Sequence, residues 1–205
     1  MGRVDAEKMY DIVKSWDWGN SGSDAIYHDT ETRRNGITYR SNLARLAEQL
    51  IKEEQFEKAE EILDLAMEKM PVDKFEYYTL LEPYVLHYYE IDKTEKARKV
   101  FQQTVNKHQE WLQFYGAMNI NEQSENIQEI YSKLSTYEGL LETVYVYDKD
   151  AYYQEEKKKF KEHLQPFNGL FTQLGMDINE EFLQKERYTN ALLDSLLQDS
   201  TLVPE

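Results

Sequence analysis

RSNLARLAEQLIKEEQFEKAEEILDLAMEKMP, residues 40–71, decides the fold. Its apolar residues return every three or four positions, first through Leu43, Leu46, Ala47 and Leu50, then through Phe56, Ala59, Leu63 and Ala66. Such spacing lines up on one face of a helix, so the stretch predicts two helices joined by a turn at Glu54-Gln55. Small Ala47, Ala59 and Ala66 let antiparallel helices approach closely, while the large residues fill the space beside them. Pro71 stops the second helix because it cannot continue the hydrogen-bond ladder.

Set against the 34-residue tetratricopeptide unit with Arg40 first, those eight residues and Pro71 fill all nine signature positions. A second, degenerate unit starts at Tyr78 and places Leu81, Tyr84, Tyr88, Ala97 and Phe101. Ala97 follows Ala59 by 38 residues rather than 34, so about four residues are inserted near residues 72–75. Asp92 and Glu95 read as a capping pair for the helix carrying Ala97 and Phe101. The predicted fold class is all-α: tetratricopeptide-like antiparallel helix pairs forming a short α-solenoid, with C-terminal capping helices.

Residues 1–35 read as an N-terminal amphipathic turn (Met9, Ile12, Val13, Trp16) and a turn-rich loop through Trp18-Gly19-Asn20-Ser21-Gly22-Ser23-Asp24. The aromatic residues Tyr10, Trp16, Trp18 and Tyr27 are expected to pack this segment onto the repeats. Residues 36–110 carry the two repeats, and residues 111–200 a helical extension. There Ile127, Ile130, Leu134, Tyr137, Leu141 and Val144 imply one long helix, and a less regular helical stretch covers residues 151–164 before Pro166. Gly175 closes a short segment, and Asp177 and Glu180 are expected to cap a last helix with Phe182, Leu183, Leu192, Leu193, Leu196 and Leu197. Residues 201–205 are expected to fray.

Only 8 Gly and 4 Pro in 205 residues, with no Asn-Gly or Asp-Gly turn beside a β-rich patch, argue against a sheet. A net charge of −15 repels phosphate backbones and anionic headgroups, so no nucleic-acid partner is expected. With no cysteine, disulfides, thiolate metal sites and cysteine nucleophiles are excluded. No apolar stretch reaches the ~18–20 residues of a membrane span. Met1-Gly2 reads as an artificial start, so the chain is expected to be part of a longer protein.

Motifs of chemistry are sparse. Four histidines, at 28, 87, 108 and 163, show no metal-ligand spacing. His28-Asp29 admits a base with its orienting partner, as in a hydrolase, or a hydrogen-bonded loop pair. Residues 17–24 depart from a calcium loop, and no nucleophile elbow, phosphate loop or dinucleotide fingerprint occurs. Glu53-Glu54, Glu60-Glu61 and the charged run at residues 155–161 read as solvated surface. No catalytic residue, metal or cofactor is expected.

In the repeat register the concave face takes Ser41, Ala44, Glu48, Ile51 and Lys52, then Thr79, Glu82, Leu86, Tyr89 and Glu90. Such a groove suits a peptide, with Leu86 and Tyr89 as anchors and the glutamates selecting basic groups. Equally, the later helices fill it from within.

Trp16-Asp17-Trp18-Gly19-Asn20, Tyr27, Arg33, Arg34, residues 42–47, Met70-Pro71, Pro83, Tyr88-Tyr89 and Lys96-Ala97 together resemble the C-terminal region of a bacterial multi-pass membrane protein family, number 2723 of the domain-of-unknown-function series. The likeness covers roughly residues 10–105, and Glu54-Gln55-Phe56 departs from it where relatives carry a turn glycine. The family resembles protein O-mannosyltransferases of the glycosyltransferase-C type. The resemblance implies a soluble, periplasm-facing tetratricopeptide-like domain whose catalytic acids lie in absent membrane-domain loops. The expected role is therefore non-catalytic protein or peptide binding, or bracing of the parent's own membrane domain. A free-standing cytoplasmic adaptor is the alternative.

Overall fold

The computed structural model describes residues 5–149 and 151–183, apart from the side chains of Thr79 and Leu183. Leu192, Leu193, Leu196, Leu197 and the tail at 201–205 lie outside the described residues. All described secondary structure is helical, and no strand occurs among those residues. The chain divides into two compact units, residues 1–107 and 108–205.

In the first unit α1 (Ala6–Lys14) is a full helix where the sequence reading expects a turn. Asp5 explains it, accepting the Lys8 amide at 3.1 Å as an N-cap. After a loop comes α2 (Thr30–Lys52), capped by Asp29 and running through residues 35 and 36. A three-residue turn leads into α3 (Phe56–Lys69), which packs back along α2. The inserted residues form one turn of helix, α4 (Val72–Phe75), followed by a 3₁₀ turn at Tyr78–Leu81 that feeds α5 (Glu82–Glu90). α6 (Thr94–Gly116) follows after another three-residue turn.

The two turns are the same object. Glu54 has φ +57° and Asp92 φ +58°. The Gln55 amide donates to the Leu50 carbonyl at 2.8 Å, and the Lys93 amide to the Tyr88 carbonyl at 2.8 Å. Each closes its helix with a left-handed residue and a reverse bond, as helix C-termini do. Asp92 is therefore the bend of the turn, not the N-cap the sequence reading expects, because a cap needs extended dihedrals.

Burial follows the same offset. Leu43, Leu46, Ala47, Leu50, Ala59, Ile62, Leu63 and Ala66 are at most 1% exposed. Their counterparts 38 positions on, Leu81, Tyr84, Val85, Tyr88, Ala97, Val100, Phe101 and Thr104, are at most 3% exposed. Of the remaining signature residues, Phe56 is exposed at the start of α3 and Pro71 separates α3 from α4.

The second unit contains the end of α6, α7 (Ile120–Glu125), α8 (Ile127–Tyr147), α9 (Ala151–Leu164), a 3₁₀ turn at Gln165–Phe167, α10 (Asn168–Gln173) and α11 (Ile178–Leu183). Asn119 and Glu122 form a reciprocal capping box on α7. α9 packs on α8, where Tyr137 meets Phe160 edge-on at 4.9 Å, and Gly175 at φ +73° turns the chain after α10.

Candidate functional site

The loop at residues 15–29 is tied to the first helical pair at several points. Gly19, at φ +51°, donates its amide to the Asp17 carboxylate at 2.9 Å, so Asp17 shapes a local turn. Ser21 donates its hydroxyl to the Lys69 carbonyl at 2.9 Å, filling one of the open acceptors at the end of α3. Lys74 holds the Ser23 carbonyl and pairs with Asp24 at 3.0 Å. Between these ties Gly22 crosses so close to α3 that a Cβ there would stand 2.2 Å from the Glu68 carbonyl oxygen. Gly36 on α2 similarly lies against Phe75, with only 2.7 Å for a Cβ.

This packing leaves a pocket of about 530 Å³ between the loop and α2. Trp16, Trp18, Tyr39, Asp17, His28 and Asn35 are among its lining residues. The rings of Trp16, Trp18 and Tyr39 lie 5.4–5.9 Å apart with interplanar angles of 57°, 79° and 64°. Trp16 is 36% and Tyr39 44% exposed, so these rings are open to solvent although they touch one another. The Trp18 indole N–H is buried and has no acceptor among the described residues.

His28 and Asp29 go to different partners. His28 Nε2 lies 2.7 Å from the Ser21 carbonyl, which only accepts, so that nitrogen carries the hydrogen. Its ring also packs on Phe75 at 4.4 Å. Asp29 accepts the Thr32 amide at 2.7 Å, and that backbone bond first of all holds its carboxyl below the ordinary value. Both side chains therefore fix the loop at the head of α2. Of the aromatic residues expected to pack this segment onto the repeats, Tyr10 on α1 donates to Glu61 at 2.6 Å, but Tyr27 stands in solvent at 85% exposure, just after the turn at Ser23–Ile26.

Among the groove residues, Glu48 and Lys52 pair at 2.5 Å within α2, and the Lys52 bond is the main cause lowering the Glu48 carboxyl below its usual value. His87 on α5 contributes to the same shift and itself bonds Glu90 at 2.7 Å. The structure thus brings Glu48, Lys52, His87 and Glu90 into one polar group, with Glu82 exposed at the start of α5 and Leu86 partly covered. Tyr89 differs from its expected anchor role: it is 4% exposed, so its ring is already enclosed by the chain. Thr79 lies where no side chain is described.

Comparison with family models, with curated proteins and with solved structures returned no match. The site therefore rests on its own geometry.

Two features escape the sequence reading. Arg40 is 1% exposed and donates to the carbonyls of Met70 at 2.7 Å and Tyr77 at 3.4 Å, and to that of Glu76. Burial pulls its pKa down to about 10, so it stays charged while tying α2 to the segment between the helical pairs. Glu60 pairs with Lys93 at 2.8 Å and Lys96 at 2.7 Å, and Asp64 takes Lys96 at 2.6 Å and the Tyr88 hydroxyl at 2.8 Å. These acids therefore link α3 to α5 and α6, which for Glu60 goes beyond the surface role its sequence pattern implies. No hydropathy pattern signals either arrangement; only the partners reveal them.

Proposed function

We propose that this chain is a non-catalytic interaction or scaffold domain of tetratricopeptide-like build, with its C-terminal helices as a cap. On the sequence resemblance to family 2723, we assign it to the periplasm-facing soluble part of a membrane protein O-glycosyltransferase-like protein. Its partner is a basic segment of an acceptor polypeptide or of the parent's own membrane domain.

The observation that carries the interaction reading is the return of one helical hairpin, with its buried positions and left-handed turn, after 38 residues. Repeated hairpins bury their cores between neighbours and leave broad side surfaces for partners. Of the accessible charged groove residues Glu48, Glu82 and Glu90 are acidic against the single basic Lys52, and the chain's net charge is −15, which favours a basic segment. No helix among the described residues is long and apolar enough to cross a membrane, so attachment would come from elsewhere in the parent.

Calorimetry on the purified chain with short defined peptides tests the reading. A basic extended peptide is expected to bind with an affinity that falls with added salt, and its glutamate-substituted counterpart not to bind. Equal binding of the two, or binding of neither, would overturn the interaction reading. The assignment to a membrane parent fails separately if the full gene encodes no multi-pass hydrophobic region upstream of Val4.

A further inference from the structure

Trp16 and Trp18 stand in the loop outside the hairpin repeat, and with Tyr39 of α2 they form an open aromatic cluster that borders the pocket of about 530 Å³ described above. The three ring planes are inclined to one another at 57°, 79° and 64°, and Tyr39 meets each tryptophan edge-on. A flat platform suits the face of a sugar ring or a planar base; inclined walls bring several electron-rich faces near one point. A cation seated over a ring face left open in this cluster lies within the ~6 Å over which that ring's quadrupole attracts it.

Charge complementarity agrees. The pocket lining includes the Asp17 carboxylate and contains no lysine or arginine. Asn35, Thr32, Ser21 and His28 add hydrogen-bonding groups around the rings. The corner is also held in place before any ligand arrives, since Ser21 is tied to Lys69, Gly19 to Asp17 and Gly22 against Glu68. Little loop ordering is then required on binding.

We propose that the Trp16–Trp18–Tyr39 corner is a binding site for the guanidinium head of an arginine side chain on a partner polypeptide. Arginine fits better than lysine because its planar, weakly hydrated head stacks on aromatic faces while its outer N–H groups reach acceptors such as Asp17. This rests on the interaction reading and narrows it to one residue type and one pocket.

The test exploits the chain's 3 tryptophans. Two, Trp16 and Trp18, border the pocket, while Trp111 lies in the other compact unit and serves as an internal control. Nuclear magnetic resonance follows the indole N–H signals during titration with acetyl-Gly-Arg-Gly-amide and with its neutral citrulline isostere. Saturable shifts of the Trp16 and Trp18 signals are expected with the arginine peptide, with the Trp111 signal unmoved and citrulline about tenfold weaker. Trp16→Leu keeps an apolar side chain but removes a ring face, and is expected to weaken binding about threefold or more. Tyr39→Phe should leave it nearly unchanged, and thermal melting of each variant establishes that it is folded.

Equal shifts from the citrulline peptide would overturn the proposal and mark a neutral, apolar site. Shifts with phosphocholine or a methyl glycoside, but none with the arginine peptide, would also overturn it, in favour of a lipid or a sugar. If the arginine peptide leaves all three indoles unmoved while longer basic peptides still bind the chain, the corner site fails and the interaction reading stands.

Discussion

The α2–α3 and α5–α6 hairpins share one register and one turn, yet they are filled differently. In the first, the buried positions are Leu46, Ala47, Leu50, Ala59 and Leu63, a set of small and aliphatic residues. In the second, Tyr84, Val85 and Tyr88 take the corresponding places. A tyrosine in a leucine's position adds a hydroxyl that must find a partner when buried. Tyr84 donates to the Arg40 carbonyl at 2.8 Å, and Tyr88 to Asp64 at 2.8 Å. Burial, before these neighbours, pushes both phenol pKa values up, so the rings stay neutral donors at ordinary pH. The first hairpin thus has an aliphatic core, with Arg40 tying α2 to the end of α3 through the Met70 carbonyl, whereas the second is pinned to the first through its tyrosine hydroxyls. Register depends on volume and face; residue chemistry varies wherever partners exist.

The largest expected effect comes from the guanidinium that spans the junction of the two hairpins. Arg40→Leu removes the donor to three backbone carbonyls, and is expected to cost about 3 kcal/mol or more in thermal or denaturant unfolding. A loss below ~1 kcal/mol would show that the junction does not depend on it.

Comparable in size is a pH effect at His108, which stands 38 residues after the buried Met70. His108 is fully buried, and burial lowers its pKa to about 4 from an ordinary 6.5. Between those values the unfolded chain binds a proton that the folded chain refuses. Stability is therefore fully present above pH 6.5 and falls as pH drops toward 4, by up to about 3 kcal/mol. His108→Leu is expected to flatten that slope in urea titrations across this range. An unchanged slope would contradict the assignment.

Legibility in the sequence followed the same division. The first hairpin was readable because Ala47, Ala59 and Ala66 are small at the crossings and leucines fill the rest. The second was readable through Leu81, Tyr84, Tyr88, Ala97 and Phe101 as a degenerate unit, since tyrosines carry a weaker burial signal than the leucines they replace. The long α8 and the helix at residues 151–164 also follow from periodicity. Arg40 was not legible, because a buried charge satisfied by carbonyls leaves no trace in a hydropathy pattern. At the aromatic pocket Trp16 and Trp18 stood out as packing residues, but Tyr39 joins them only through the loop's path past Gly22. The enclosure of Tyr89 depends on neighbours that its own helix does not specify.

Smaller effects sharpen the contrast between the hairpins. Tyr84→Phe and Tyr88→Phe should each lose about 1 kcal/mol in unfolding experiments, the worth of one hydroxyl bond. In the first hairpin Leu46 and Leu50 have no such bond to lose, so Leu50→Met should stay within ~1.5 kcal/mol by packing adjustment alone. The turns give the smallest difference, and of opposite sign. Glutamate at φ +57° is strained, so Glu54→Gly is expected to stabilise by up to about 1 kcal/mol. Asp92→Gly should gain less, because aspartate tolerates this region better. Equal gains at the two sites would remove the distinction.

The central claim, that the two hairpins are one unit returned after 38 residues, is tested most directly by the melting temperatures of Ala59→Leu and Ala97→Leu. Both alanines are fully buried at equivalent positions. Adding an isobutyl group at either should overpack the core at a cost of about 1–3 kcal/mol. Both variants are expected to melt several degrees lower and by similar amounts. A melting temperature unchanged at either position would contradict the claim.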